Sequence, residues 1–299
     1  MVRVKRWTQK DHLTPKIACA VAVYNKPREL LMCLEGYRRQ SFVQKSPQDF
    51  QLILADDGSG PEIEEIFTKF SREVPFQTTF IRQEHQGWGK IRMLNWAALE
   101  CRAESIIFTD GDCVAHKHFV QSHFESSHQR KVACGRRVDV LERATEKLTL
   151  EDVRSGTMES PLWLLKNMIQ YEIDFGEQGF FLPNWVAKRV PFFSKNPKPT
   201  LVGSNFSIRK KWLLDLNGFD ETYSKPGYGE DTDLERRLGM IGLDLEWITY
   251  RAIQFHLWHP LTQVGEDVRQ IFESLRERGS KTALKGIREF LPEYEKLPK

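Results

Sequence analysis

The chain has 299 residues, 40% hydrophobic and 28% charged, with a formal net charge of +3 and a pI near 8.5. A chain of this length buries about 75% of its unfolded surface, so it needs no disulfide or metal staple, and no apolar run approaches the roughly 18 to 20 residues of a membrane helix. The weak basic balance argues against nucleic acid as a partner and leaves a modest attraction to anionic substrates or a lipid surface.

Met1 to Lys10 carries Arg3, Lys5, Arg6 and Lys10 with no apolar stretch behind them. No signal peptide is expected, and the chain is assigned to the cytoplasm, with peripheral attachment to the inner face of a membrane left open. Ile17 to Val23 is a continuous apolar run. Pro27 then opens a segment whose Leu30, Leu34 and Tyr37 share one helical face. The pattern repeats with Phe50 to Ala55, the turn Asp56-Asp57-Gly58-Ser59, and a helix from Ile63 to Arg72. Thr78 to Arg82 reads as a third strand. Gln86-Gly87-Trp88-Gly89 breaks the chain before a helix carrying Ile91, Leu94, Ala98 and Cys101, and the next strand ends in Asp110. Repeated βα units predict an α/β fold: a mostly parallel central sheet with helices on both faces. Val132 to Thr200 is less regular, with helical features from Trp163 to Phe175 and prolines at 183, 191, 197 and 199. Phe180, Phe181, Trp185, Phe192 and Phe193 in this stretch are expected to pack in the ordinary way. Leu245 to Phe255 reads as strand. The cysteines at 19, 33, 101, 113 and 134 are odd in number and form no CxxC pair, so they read as reduced core thiols. Three segments are expected: a ligand-binding α/β half over 1–135, a second half of the same domain over 136–265, and a helical tail over 266–299.

Four constellations bear chemistry. Asp110-Gly111-Asp112 delivers two carboxylates at the end of a buried strand, the edge where open α/β sheets bind ligands. Such a pair suits Mg²⁺ or Mn²⁺ carrying a diphosphate. Asp56-Asp57 reaches the same edge if both strands are parallel. Gly229-Glu230-Asp231 opens a helix whose apolar face is Leu234, Leu238 and Ile241, where acidic residues either cap the first turn or serve as a general base. His256 and His259 follow the last strand, and imidazoles near a metal are ligand candidates.

Together with Tyr24-Asn25, Lys90-Ile91-Arg92 and Gly203-Ser204-Asn205-Phe206-Ser207, this order resembles the inverting family 2 glycosyltransferases of A-type fold. Its C-terminal part is similar to the galactosyltransferase-like half of bacterial polysaccharide and lipopolysaccharide enzymes. The resemblance implies a nucleotide-sugar donor, UDP-hexose or UDP-N-acetylhexosamine, and a glycan or lipid-linked saccharide acceptor. It implies that Tyr24 and Asn25, with Asp56 or Asp57, line a nucleobase pocket, and that Lys90 and Arg92 approach the nucleotide. Asp110 would touch the ribose or metal, and Asp112 would hold Mn²⁺ or Mg²⁺ with His256 or His259. Asp231 would be the catalytic base and Glu230 would hold a sugar hydroxyl. One departure is Met93, where many relatives carry asparagine after the arginine. A sugar-nucleotide pyrophosphorylase or a dinucleotide dehydrogenase would carry a Gly-rich loop after the first strand, where this chain has Tyr24-Asn25-Lys26-Pro27. A catalytically silent nucleotide-sugar or glycan-binding module is the non-enzymatic alternative.

Overall fold

The computed structural model describes residues 2–7, 14–127, 130–187, 189, 198–225, 229–260 and 268–297. Its strands are β1 (Arg3–Trp7), β2 (Ile17–Val23), β3 (Phe50–Asp56), β4 (Gln77–Arg82), β5 (Ser105–Asp110), β6 (Cys113–Ala115), β7 (Lys131–Cys134), β8 (Arg136–Val140), β9 (Ile173–Asp174), β10 (Phe206–Arg209), β11 (Asp244–Trp247) and β12 (Ile253–Leu257). Eight of them form one sheet in the order β1-β4-β3-β2-β5-β10-β7-β11, and the others form a second sheet in the order β6-β12-β8-β9.

Every residue of β2 and β3 is buried, as expected of strands covered on both faces. Alternate side chains divide between two apolar layers. Ala18, Ala20 and Ala22 face one, where small side chains admit the helix Lys90–Glu100 closely; Ile17, Cys19, Val21 and Val23 face the other, against Pro27–Arg38. The block β4-β3-β2-β5 is parallel, whereas β1 and β10 run antiparallel to their neighbours, so the sheet is mixed to a greater degree than the βα pattern alone predicts. The predicted strand Leu245 to Phe255 is two strands in different sheets, divided by a turn in which Tyr250 adopts φ 66°. His256 accordingly lies within β12, not beyond it.

The two sheets meet where β7 continues into β8 through Gly135. Asn205 fills that corner. Its Nδ2 donates to the carbonyls of Arg136 (2.7 Å) and Ala252 (2.9 Å), and its Oδ1 accepts from His123 Nε2 at 3.0 Å. A Cβ on Gly135 would lie 2.3 Å from Asn205 Oδ1, so this position excludes any side chain. The tail contributes the helix Val268–Glu277 and a turn at 287–289, followed by Phe290 and Tyr294, whose rings lie 6.2 and 5.9 Å from that of buried Trp96. No helix of the described residues is long and apolar enough to cross a membrane.

Candidate active site

Parallel register sets Val23 beside Asp56 and Ala22 beside Asp110, so the turns after β2, β3 and β5 open on one edge. In the second sheet, β12 pairs His256 with Cys113 on one side and with Asp139 on the other. Asp112, His256 and His259 thereby converge, with one ligand atom of each within 4.8 Å of the others. His256 Nε2 stands 3.8 Å from Asp112 Oδ1, and His259 Nε2 stands 3.4 Å from Oδ2. The other nitrogen of each ring is engaged: His256 Nδ1 with Asp139 Oδ1 at 3.1 Å, His259 Nδ1 with the Pro260 carbonyl at 2.9 Å. Those partners accept, so each ring carries a proton on Nδ1 and turns Nε2 toward Asp112. Both histidines join the group, where the resemblance implied one or the other.

Lys26 Nζ donates to Asp112 Oδ2 at 2.8 Å. It reaches there because Asn25 and Lys26 take consecutive left-handed conformations, φ 56° and 60°, which for residues other than glycine cost on the order of 1 kcal/mol or more each. Burial alone would raise the Asp112 carboxyl, but Lys26 and the two histidines hold it at about 2. It is ionised at neutral pH.

Beside this group lies a cavity of about 480 Å³, lined by Lys90, Asp110, Arg136, Arg137, Asp139, Phe175, Gln178, Val202, Gly203, Ser204, Glu230 and Asp231. Asp110 pairs with Lys90 at 2.6 Å and stands outside the Asp112 trio. Burial opposes the Lys90 charge, yet Asp110 and Glu230 keep it protonated above the usual range. Glu230 is pushed up to about 7 by burial, partly offset by Lys90 and reinforced by Asp231. Asp231 Oδ1 accepts from Thr232 N (2.7 Å) and Oδ2 from Gly203 N (3.3 Å), so it both satisfies a first-turn amide and faces the cavity. The glycine in front, Gly229, adopts φ 148°, open only to glycine, and brings Glu230 to the first position of the helix. Gly227 and Tyr228 lie outside the described residues.

On the other flank Tyr24, 45% exposed, stacks on His85 at 4.2 Å. Asp57 is fully engaged: Oδ1 accepts from Gln83 Nε2 at 2.5 Å and Oδ2 from Gly89 N at 2.7 Å. Asp56 is buried and accepts from Ser59 through Oδ1, while its Oδ2 has no hydrogen bond and faces Arg82 at 3.5 Å. Asn25 Oδ1 accepts from Gly60 N at 3.1 Å, tying the first turn to the second. Arg92 does not join either group; its guanidinium lies 5.1 Å over the Phe290 ring and 3.5 Å from Glu293 of the tail.

The family model for glycosyl transferase family 2 matches residues 19–216, more than half of the chain and all but the closing elements of this site. The chain belongs to glycosyl transferase family 2. A second model, glycosyl transferase family group 2, matches residues 177–278. Chondroitin synthase of Escherichia coli is 23% identical over 242 residues, which is 78% of this chain and 33% of that protein. The uncharacterized glycosyltransferase YfnE of Bacillus subtilis (strain 168) is 25% identical over 267 residues, 82% of this chain and 65% of its own length. This glycosyltransferase chain therefore spans from a third to just under two thirds of those relatives. Among solved structures, GalNAc-T7 with UDP, GalNAc and Mn²⁺ superposes with a TM-score of 0.59 at 14% identity, covering 90% of this chain and 48% of its own, which shows a shared A-type fold.

Three residues beside the Asp112 group and the cavity escape sequence reasoning. Asp139 and Arg137, 2.9 Å apart, sit in a strand whose alternation marks it only as half-buried. Lys26 belongs to the first turn, but its reach to Asp112 depends on a backbone conformation that no motif announces.

Proposed function

We propose that this chain is a metal-dependent inverting glycosyltransferase that moves a hexose or N-acetylhexosamine from a UDP donor to a hydroxyl of a glycan or lipid-linked saccharide. The observation that carries the reading is the adjacency of the Asp112, His256 and His259 donor set to the cavity holding Glu230 and Asp231, joined through Asp139, which lines the cavity and orients His256. Two imidazole nitrogens and one ionised carboxylate, with each ring oriented through its Nδ1, fit a divalent cation, and the mixed donors favour Mn²⁺ over the all-oxygen preference of Mg²⁺. When bound, the cation supplies Lewis-acid neutralisation of the charge that develops on the departing diphosphate. The metal complexes known for a structural relative support this assignment.

The protein's own residues do the rest. Tyr24 and Asn25 flank the nucleobase, and Asp56 Oδ2, which accepts no hydrogen bond in the protein, is assigned to a base N–H. Lys90 steadies Asp110 and Glu230 at the junction of donor and acceptor. Asp231 takes the acceptor proton as the oxygen attacks, and its two backbone hydrogen bonds hold the carboxylate in place for that transfer. Attack from the face opposite the diphosphate inverts the anomeric centre, so an α-linked donor gives a β-linked product. Polysaccharide or lipopolysaccharide assembly at the cytoplasmic side is the setting we assign.

The test is release of free UDP from UDP-hexoses and UDP-N-acetylhexosamines with Mn²⁺ or EDTA, combined with mass detection over an acceptor panel. Mn²⁺-dependent release and a product heavier by one sugar are expected. Uridine triphosphate formation from pyrophosphate, or donor binding without turnover on any acceptor, would replace this reading with the pyrophosphorylase or the silent module.

A further inference from the structure

Among the residues lining the cavity Phe175 is the one aromatic, and it is 56% exposed. Strand pairing in the second sheet sets its place: Cys113, His256, Asp139 and Asp174 stand in one row, and Phe175 follows Asp174 directly. Two strand spacings separate β9 from β12, so Phe175 sits roughly 10 Å beyond His256, on the far side of Asp139. Its backbone is left-handed, φ 55° and ψ 31°, a conformation in which glycine is at ease and phenylalanine is strained. The turn behind it is wedged against the helix Pro161–Ile169, since a Cβ on Gly176 would meet Met168 at 2.5 Å and one on Gly179 would meet Leu164 at 2.6 Å. A large exposed ring is thus carried at a strained position on a fixed support. The aromatic segment that follows departs from the ordinary packing expected of it: Phe180 is half-buried, but Phe181 and Trp185 are exposed, while Phe192 and Phe193 lie outside the described residues.

The surroundings of the ring specify what it meets. Asp174 and Glu177 flank it as exposed carboxylates, and Gln178 of the same turn lines the cavity with an Oε1 that accepts no hydrogen bond. A wholly apolar ligand would strip water from those groups and return nothing. A pyranose ring matches both parts: its C–H face presents weakly positive hydrogens to the negative face of an aromatic ring, and its edge carries hydroxyl donors for carboxylate and amide oxygens. An open-chain polyol has the hydroxyls without the face.

We propose that Phe175 is the platform on which a pyranose ring of the acceptor stacks, with Gln178 Oε1 taking one of its hydroxyls. The Asp112 group fixes the diphosphate end of the donor, and Phe175 stands two strands away on the side where Asp139 and Asp231 line the cavity. The donor sugar fills the space between, so the next ring outward belongs to the acceptor. The inference rests on the transferase reading and names its acceptor class: a hexopyranoside, in place of a polyol chain or a peptide hydroxyl.

The experiment is saturation-transfer NMR of the full chain, without metal or nucleotide, titrated with methyl β-D-glucopyranoside, methyl β-D-galactopyranoside, methyl N-acetyl-β-D-glucosaminide and sorbitol. At least one glycoside should bind, with the strongest transfer to the protons of its C–H face, and sorbitol should not. Phe175→Leu, which keeps the bulk and loses the ring, should raise the glycoside Kd roughly 2- to 12-fold, the worth of one aromatic contact. Phe175→Trp should restore binding. Trp185→Leu, an exposed aromatic outside the cavity lining, should bind as the parent does, and melting curves confirm that each variant is folded. Absence of glycoside binding, equal binding of sorbitol, or a Phe175→Leu variant that binds like the parent overturns the proposal. So does a Phe175→Leu variant that keeps the glycoside but loses calorimetric affinity for UDP-sugars in Mn²⁺, which would move the ring to the donor. Release of UDP from donors is measured separately: a protein that binds glycosides through Phe175 yet releases no UDP keeps the sugar platform and removes the transferase reading, and one that releases UDP with an indifferent Phe175 removes the platform alone.

Discussion

Glu230 and Asp231 are neighbours in sequence with different surroundings, and their replacements should separate two effects. The folded Glu230 carboxyl titrates near 7 against an ordinary 4.5, chiefly because of burial. A carboxyl raised in the folded state contributes stability that is complete below its unfolded value and is lost as pH rises through its folded value. Glu230→Gln carries no such dependence. Its stability relative to the parent should therefore rise between about pH 4 and pH 8 by roughly 3 kcal/mol, from a shift near 2.5 units. Denaturant unfolding of both proteins across that range checks it, and a difference independent of pH would contradict the buried-carboxyl account. Asp231→Asn should keep metal and UDP binding and lose roughly 10²- to 10⁴-fold in turnover, the range for a positioned base. A variant that melts about 1 kcal/mol earlier yet turns over at the parental rate would reduce Asp231 to a helix cap. At the metal group, Asp139→Ala should weaken Mn²⁺ binding by about 10- to 100-fold, because it frees the His256 ring and its tautomer. Calorimetric titration without nucleotide reads this directly. For the same reason His256→Ala should cost more Mn²⁺ affinity than His259→Ala, whose ring is held only by the adjacent Pro260 carbonyl.

At the scale of elements, the corner between β7 and β8 fixes how the second sheet meets the first, and hence where His256 stands relative to Asp112. His123 is buried and neutral there, its titration pushed down to about 3, and it bridges Ser207 and Asn205. Asn205→Ala strands two buried carbonyls and an imidazole N–H, and should cost about 3 kcal/mol. Gly135→Ala should also destabilise, by the clash with the Asn205 amide. The two are not additive: without the amide there is room for the Cβ, so the double variant should be little worse than Asn205→Ala. Unfolding of the three variants measures the coupling, and simple additivity would mean that the corner does not pack as described.

For the molecule as a whole, the tail acts on the site from a distance. Ile287 and Phe290 are buried in the layer that packs the helix Lys90–Glu100, and Phe290 with Glu293 holds Arg92. Removing residues 283–299 takes away those two side chains and uncovers Trp96, a loss of about 4 kcal/mol, roughly 8 °C in melting temperature for a chain of this size. It also removes the Phe290 and Glu293 contacts of Arg92. A truncated chain that melts with the parent would show that the tail is not part of the core.

The buried runs Ile17–Val23 and Phe50–Ala55, the helix opened by Pro27 and the acidic turns at Asp56-Asp57 and Asp110-Gly111-Asp112 were all legible in the chain, because burial on both faces and helix initiation are written in local residue order. That order placed Asp56, Asp57, Asp110 and Asp112 at one sheet edge once parallel pairing was assumed, and it marked Glu230 and Asp231 as a helix start. What it could not hold was pairing between segments distant in sequence. The antiparallel entry of β10, the break that divides Leu245 to Phe255 between two sheets, and the register that brings Asp139 to His256 are decided by which strand lies beside which. The same is true of Lys26 on Asp112, Lys90 on Asp110 and Arg92 on the tail, since a charged side chain finds its partner across the fold. Local sequence determined the elements and the chemistry each can carry; tertiary packing decided which of those groups meet, because pairing energies are realised only when distant strands and helices close on a common core.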